Sequence, residues 1–293
     1  MQLGRVGLWT FQLDLQPADV ARATAAELES LGYPTIWVPE AVGRDPMVNS
    51  AVLLAATERL VLATGIASIW SRDAMAAAAS HLTLSEAFPG RFLLGLGVSH
   101  QPMVDFVKGH QYDKPFTKMS AYLDAMDAAV YVAPRPAEAV RVLAALGPKM
   151  LRLAAEKAGG AHPYFVPVEH THVAREALGA GPLLCPEQAV VLETDPTVAR
   201  AAARQHMATY LTLPNYTNNL RRLGWGDDDL GDGGSDKLVD AIVAWGDEEA
   251  IVARVKDHLD AGADHVAVQV LDPNPAALPL EQWRTLAPAL LSL

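Results

Sequence analysis

A single (β/α)8 barrel with loop insertions at its C-terminal face is the fold this sequence predicts, and three observations predict it. Short apolar runs alternate with amphipathic stretches along 293 residues, a length that α/β barrels routinely use as one domain. The runs are apolar on both faces, as strands must be when helices cover a parallel sheet. Eight such runs can be counted, which suits a closed ring, with an open doubly wound sheet as the alternative. The chain is 51% hydrophobic and 19% charged, so a large core can form without disulfides or metals.

The elements follow in order. RVGLW (5–9) reads as the first strand, and Pro17 opens a helix whose Val20, Ala21, Thr24, Ala25, Leu28 and Leu31 share a face. Gly32 is placed to end that helix. TIWV (35–38) is the second strand, followed by a helix over 47–57 and a third strand over 60–66. A helix over 73–87 stops at Pro89-Gly90, and FLLGLGV (92–98) is the fourth strand. Residues 101–116 form a loop-rich insertion before a helix near 117–131. The fifth strand is 140–145, Gly147-Pro148 opens a helix to about 158, and the sixth strand is 161–166. A helix over 171–179 and a seventh strand over 188–193 come next. From Asp195 to about Trp245 the chain reads as helical, broken by the acidic, Gly-rich loop 224–234. A helix over 248–261, the eighth strand 265–270 and a helix near 279–291 complete one domain, 1–293.

Charge and composition exclude several functions. With 23 Lys+Arg against 34 Asp+Glu, the net charge of −11 repels phosphate backbones, so no nucleic-acid partner is expected. The single cysteine, Cys185, has no intramolecular partner, and no CxxC or Cys/His cluster suggests zinc. His170 and His172 lie two apart and diverge on a helix, so no metal is expected there. No leader-like N-terminus and no apolar stretch near ~20 residues is visible, which points to a cytoplasmic protein without membrane contact.

A barrel active site lies at the C-terminal ends of the strands. That rule selects Trp9-Thr10, Glu40, Gly65–Trp70, Val98–His100 and Gly147–Met150. GLGVSH (95–100) carries only part of a dinucleotide fingerprint, and its glycines have a plainer use in relieving crowding. His100 can exchange a proton near neutrality, its unperturbed pKa being ~6.5. In ALGPKM (145–150), Pro148 at a helix start leaves the N–H groups of Lys149, Met150 and Leu151 for an anion, with the Lys149 charge beside them. Trp9, Trp37 and Trp70 fall near strand ends, where an aromatic pocket for a flat ligand could form, although Trp37 reads more naturally as core.

Taken in order, GLWT (7–10), ELESLGYPTIWVPE (27–40), LVLATGIASIW (60–70), GRFLLGLGVSHQP (90–102), YDKPFTKMSAYLDAMDA (112–128), LAALGPKMLRLAAEKAGG (143–160) and DHVAVQVL (264–271) resemble the bacterial luciferase-like family of flavin and deazaflavin barrels. GVSH and YDKP most resemble its coenzyme F420-dependent branch. The resemblance implies a hydride-transferring oxidoreductase using coenzyme F420 on a small organic substrate. FMN with oxygen, as a monooxygenase, is the alternative, and a non-catalytic flavin-binding barrel the third. It implies Glu40 beside the ring, a non-proline cis peptide at Gly65–Ile66 behind it, and Val98 and Ser99 backbone along its edge. Gly147, Pro148, Lys149 and Met150 would receive the cofactor phosphate. His100 stands where a sugar-phosphate dehydrogenase branch has a catalytic Glu, which sets that substrate class in doubt. The expected catalytic pair is His100 for the proton and Glu40 for the ring. A homodimer pairing through helices near the second and third strands is also implied, with the Ala/Met-rich helix 73–87 as a candidate.

Overall fold

A computed structural model describes all 293 residues. Its strands are β1 (Val6–Trp9), β2 (Thr35–Val38), β3 (Val61–Thr64), β4 (Ala67–Ser68), β5 (Phe92–Gly97), β6 (Val140–Leu143), β7 (Gly160–Ala161), β8 (Leu183–Leu184), β9 (Glu187–Leu192), β10 (Val243–Gly246) and β11 (Val266–Val270). Every pairing is parallel, in the order β10-β9-β11-β1-β2-β3-β5-β6-β7-β8, with β4 beside β5. Only Cys185 and Pro186 separate β8 from β9. The Cys185 N–H donates to Ala161 O on one side (2.9 Å), and Pro186 O accepts from Ala267 N–H on the other (2.9 Å). One continuous stretch therefore joins β7 to β11 and closes the ring, which removes the open-sheet alternative and the exposed edges that go with it.

Two layers of core follow from the alternation of side chains along the strands. Trp9, Trp37, Ala63, Leu93, Val142, Cys185 and Ala267 fill the barrel. Leu8, Ile36, Leu62, Leu94, Leu143 and Val268 point outward and pack against the helices. Aspartates start many of those helices: Asp45, Asp73, Asp195 and Asp247 each accept first-turn N–H groups, the capping that leaves fewest donors unsatisfied. Gly32 ends the first helix with φ +97°, as expected from its position.

Four stretches differ from the sequence expectation, each for a local reason. The third strand, expected over 60–66, stops at Thr64 because Gly65–Ile66 is cis, and the chain resumes pairing as β4. The sixth strand, expected over 161–166, is only β7: Pro163 has no N–H for a ladder, and Phe165 turns to φ +57°. The 101–116 insertion contains a π-helical turn, Met103–Val107. The 195–245 segment forms helices Pro196–Tyr210, Pro214–Arg222, Asp227–Leu230 and Asp236–Ile242, but ends in β10, which pairs with the C-terminal half of β9. These helices enclose a core of their own, including Ala203, Met207, Leu220, Leu238 and Ile242. No helix is long and apolar enough to cross a membrane.

Candidate active site

A cavity of about 720 Å³ opens at the C-terminal ends of the strands. Every residue expected for catalysis or cofactor binding lines it: Glu40, Gly65, Ile66, Val98, Ser99, His100 and the turn Gly147, Pro148, Lys149, Met150. Trp9 joins them, whereas Trp37 and Trp70 do not. Trp37 is core, stacked on His162 at 4.2 Å and 11°. Trp70 packs under Lys118 and donates its indole N–H to Val98 O (2.8 Å), so it fixes the backbone of the cavity edge from behind.

The floor is built by close approach of backbones. Gly65 N–H donates to Val38 O and Glu40 N–H to Ile66 O, which locks the cis bond to the end of β2. A Cβ on Gly65 would stand 2.5 Å from the Trp9 indole nitrogen and 3.1 Å from His162 Nε2. Side chains at Gly95 and Gly97 would collide with Thr64 O and Ile66, so these two glycines serve the crowding and not a dinucleotide motif. Val98 and Ser99 follow, Ser99 at φ +56°.

Glu40 is an anchor within the mouth. Its side chain, 8% exposed, accepts from Ser68 N–H (2.7 Å) and Arg72 (2.8 Å), with Lys108 at 3.5 Å. Lys108 follows the π-helical turn and also donates to Ser71 Oγ (2.5 Å). One carboxylate thus ties β2, the β4 loop and the 101–116 insertion together.

The turn after β6 offers fewer free donors than expected. The N–H groups of Met150 and Leu151 both donate to Gly147 O (3.0 Å), so they are not free. Gly147 and Lys149 N–H have no partner, and they, with the Lys149 ammonium, are what the turn offers an anion. His170 Nε2 bonds Leu146 O (2.8 Å) and steadies the turn, while His172 is exposed beside Glu176. A second cation was not legible in the sequence. Arg222, at the end of helix Pro214–Arg222, brings Nη2 to 3.4 Å from the space a Gly147 side chain would take.

His100, past the end of β5, has its ring 5.4 Å from Tyr216, and its buried Nδ1 has no hydrogen-bond partner. Burial lowers its pKa below the usual histidine value, with the Asn215 side chain opposing, so the ring is neutral at pH 7 and ready to accept. Tyr164, Tyr210 and Tyr216 complete a wall that sequence reasoning missed. Tyr210 and Tyr216 come from the insertion helices and meet edge to face, 5.3 Å apart at 88°.

These features define a closed barrel with one cavity at its C-terminal mouth, lined by a turn with free N–H donors, by His100 and by His162. The chain belongs to the luciferase-like monooxygenase family, whose model matches residues 3–265. It is 34% identical over 125 residues to a Mycobacterium tuberculosis protein whose name carries coenzyme F420-dependent oxidoreductase as a proposed activity; the match spans 42% of this chain and 35% of that one. It is 26% identical over 315 aligned positions to 5,10-methylenetetrahydromethanopterin reductase of Methanolobus tindarius, covering 90% of this chain and 95% of that one. An F420-dependent secondary alcohol dehydrogenase, solved with an F420-acetone adduct, shares the fold at a TM-score of 0.78 with 13% identity over 99% of both chains. The oxygenating component of 3,6-diketocamphane monooxygenase of Pseudomonas putida, solved with FMN, shares it at a TM-score of 0.66 with 16% identity.

Proposed function

We propose that this protein is a coenzyme F420-dependent oxidoreductase that moves a hydride between the deazaflavin and a small organic substrate. The observation that carries the reading is the layout of the cavity: two free N–H groups and two cations gather at Gly147–Lys149, and His100, with Nδ1 unpaired, lines the same cavity from the end of the neighbouring strand β5. The site suits a ligand with a flat ring and an anionic tail. Gly65 and Ile66 back the ring, the Val98–Ser99 backbone borders it, and the turn Gly147–Met150 receives the phosphate through the Gly147 and Lys149 N–H groups and the Lys149 ammonium, with Arg222 beside them. A deazaflavin held there would supply the hydride chemistry, and His100 would take or return the accompanying proton. Glu40 acts on the ring through the loops it ties together.

Kinship to a protein named for coenzyme F420-dependent oxidoreduction favours the deazaflavin. An FMN-dependent monooxygenase is the second reading, favoured by the FMN complex among the similar folds. Titration with coenzyme F420 and with FMN, followed by ring fluorescence and oxygen uptake, separates them. We expect tight binding of F420 and no oxygen consumption. FMN binding with oxygen uptake selects the monooxygenase, and binding of neither makes the barrel a non-catalytic relic. The same reading carries a homodimer. Val48 and Met75, 64% and 56% exposed, lie on the packed helices Pro46–Leu54 and Ala74–Ala87 and supply an apolar face. A sedimentation mass of one chain would remove that part.

A further inference from the structure

Resting on that reading, we infer that the substrate is a neutral molecule with an aryl or branched apolar body and one hydrogen-bonding oxygen, and not a phosphate, carboxylate or amine. The charges of the cavity are already allotted. Lys149 and Arg222 face the Gly147 turn, and the one cavity carboxylate, Glu40, is neutralised by Arg72 and Lys108. Around His100 the wall is largely aromatic and carries no charge, with the Asn215 side chain and the Tyr216 hydroxyl as its polar groups. The Tyr164 hydroxyl donates to Gln269 Oε1 (2.8 Å) and bonds the Tyr210 hydroxyl (2.9 Å), so those two phenols present ring faces in place of free O–H groups. Trp9 and Phe11 continue the wall, ring to ring at 4.6 Å and 84°. His100 Nδ1 is unpaired within this surround, while the other unpaired ring nitrogen of the cavity, His162 Nε2, lies at the floor beside Gly65, so His100 suits a substrate hydroxyl or a carbonyl that becomes one. A charged group seated there would lose its hydration with no opposite charge to replace it, whereas an apolar body gains by leaving water.

The test is calorimetric titration of the full chain, with and without deazaflavin, using acetophenone, its 4-carboxylate and glucose 6-phosphate. Acetophenone should bind at least ~10-fold more tightly than either anion, because an unpaired buried charge costs more than one decade of affinity. Asn215 is exposed and faces His100, so Asn215→Arg should tolerate folding and bring the carboxylated probe to parity or better. Equal or tighter binding of an anion to the native chain overturns the inference. So does failure of acetophenone to bind, or a preference unchanged by Asn215→Arg. Loss of deazaflavin binding with the neutral preference intact would count against the cofactor assignment alone, since the wall exists without it.

Discussion

The two sides of the cavity are built differently. The strand-end side, from Gly65 through Val98 to the Gly147 turn, is mostly backbone: a cis bond, glycines that admit close approach, and free N–H groups. The insertion side, helices Pro196–Tyr210 and Pro214–Arg222, is side chain: Tyr210, Tyr216 and Arg222 reach in from helix faces. A backbone-built surface suits a group common to many relatives, and a side-chain surface is where specificity is varied. Cofactor and substrate should therefore fail separately when the two sides are perturbed.

The largest expected effect falls where the sides meet. His100 leaves the end of β5 but packs against Tyr216 of the insertion. His100→Gln keeps a hydrogen-bonding side chain and loses the exchangeable proton, so turnover should drop ~10²–10⁴-fold. Deazaflavin affinity should stay within a few-fold, measured by fluorescence titration. Normal turnover with the true substrate would move the proton to another group.

The same division explains what was legible in the sequence. Gly65–Ile66, Val98–His100 and Gly147–Met150 are contiguous, each just past an apolar run, so strand position alone brought them to one mouth. Tyr164, Tyr210, Tyr216 and Arg222 come from separate elements, and only the tertiary packing of the insertion aims them at one space. β10 was hidden because VAWG follows seven helical residues with no turn signal between. The free donors of the Gly147 turn were misassigned for a geometric reason: the Gly147 carbonyl captures two of the three.

A second prediction separates the sides by pH. Glu187 is fully buried against Phe165 N–H, and desolvation pushes its pKa from 4.5 up to about 8. Between those values the native carboxyl keeps a proton that the unfolded chain has released, so stability falls as pH rises from 4.5 to 8, by up to about 5 kcal/mol. Glu187→Gln should flatten this limb in urea denaturation. Histidines have the opposite sign: His162 beside Gly65 and His206 in the insertion are both held down to about 4 by burial. Each costs stability as pH falls from 6.5 towards 4, roughly 3 kcal/mol apiece. Acid should therefore loosen both sides, whereas the alkaline limb belongs to Glu187, whose charge bears on Tyr164, Tyr210 and Tyr216. Hydrogen exchange rising first in 196–222 above pH 7 would show it.

On the strand-end side, Glu40→Gln leaves Arg72 and Lys108, 10% and 16% exposed, without their shared counter-charge. Removing one partner of a buried ion pair costs about 3 kcal/mol. Chemical denaturation should register that loss, and the insertion 101–116 should exchange faster. An unchanged midpoint would mean that Asp45, which also pairs with Arg72, is enough to hold the mouth.

The smallest effect tests whether the two sides touch the same ligand group. Lys149 comes from the strand-end turn and Arg222 from the insertion, and both address the space beside Gly147. Both are exposed, so solvent screens them, and part of any phosphate contact is carried by Gly147 and Lys149 N–H. Lys149→Ala and Arg222→Ala should each weaken binding of the anionic cofactor by only about 3–10-fold, less at high salt. Asn219 holds Arg222 through Oδ1 at 3.0 Å, which lowers the cost of placing the guanidinium at the turn. Two cations on one anion repel each other when it is absent, so the double variant should lose less than the product of the single losses. Fully multiplicative losses would place the two cations on different groups of the cofactor. An Arg222→Ala protein that binds as tightly as the native one would confine the insertion to the substrate and leave the phosphate to the strand-end side alone.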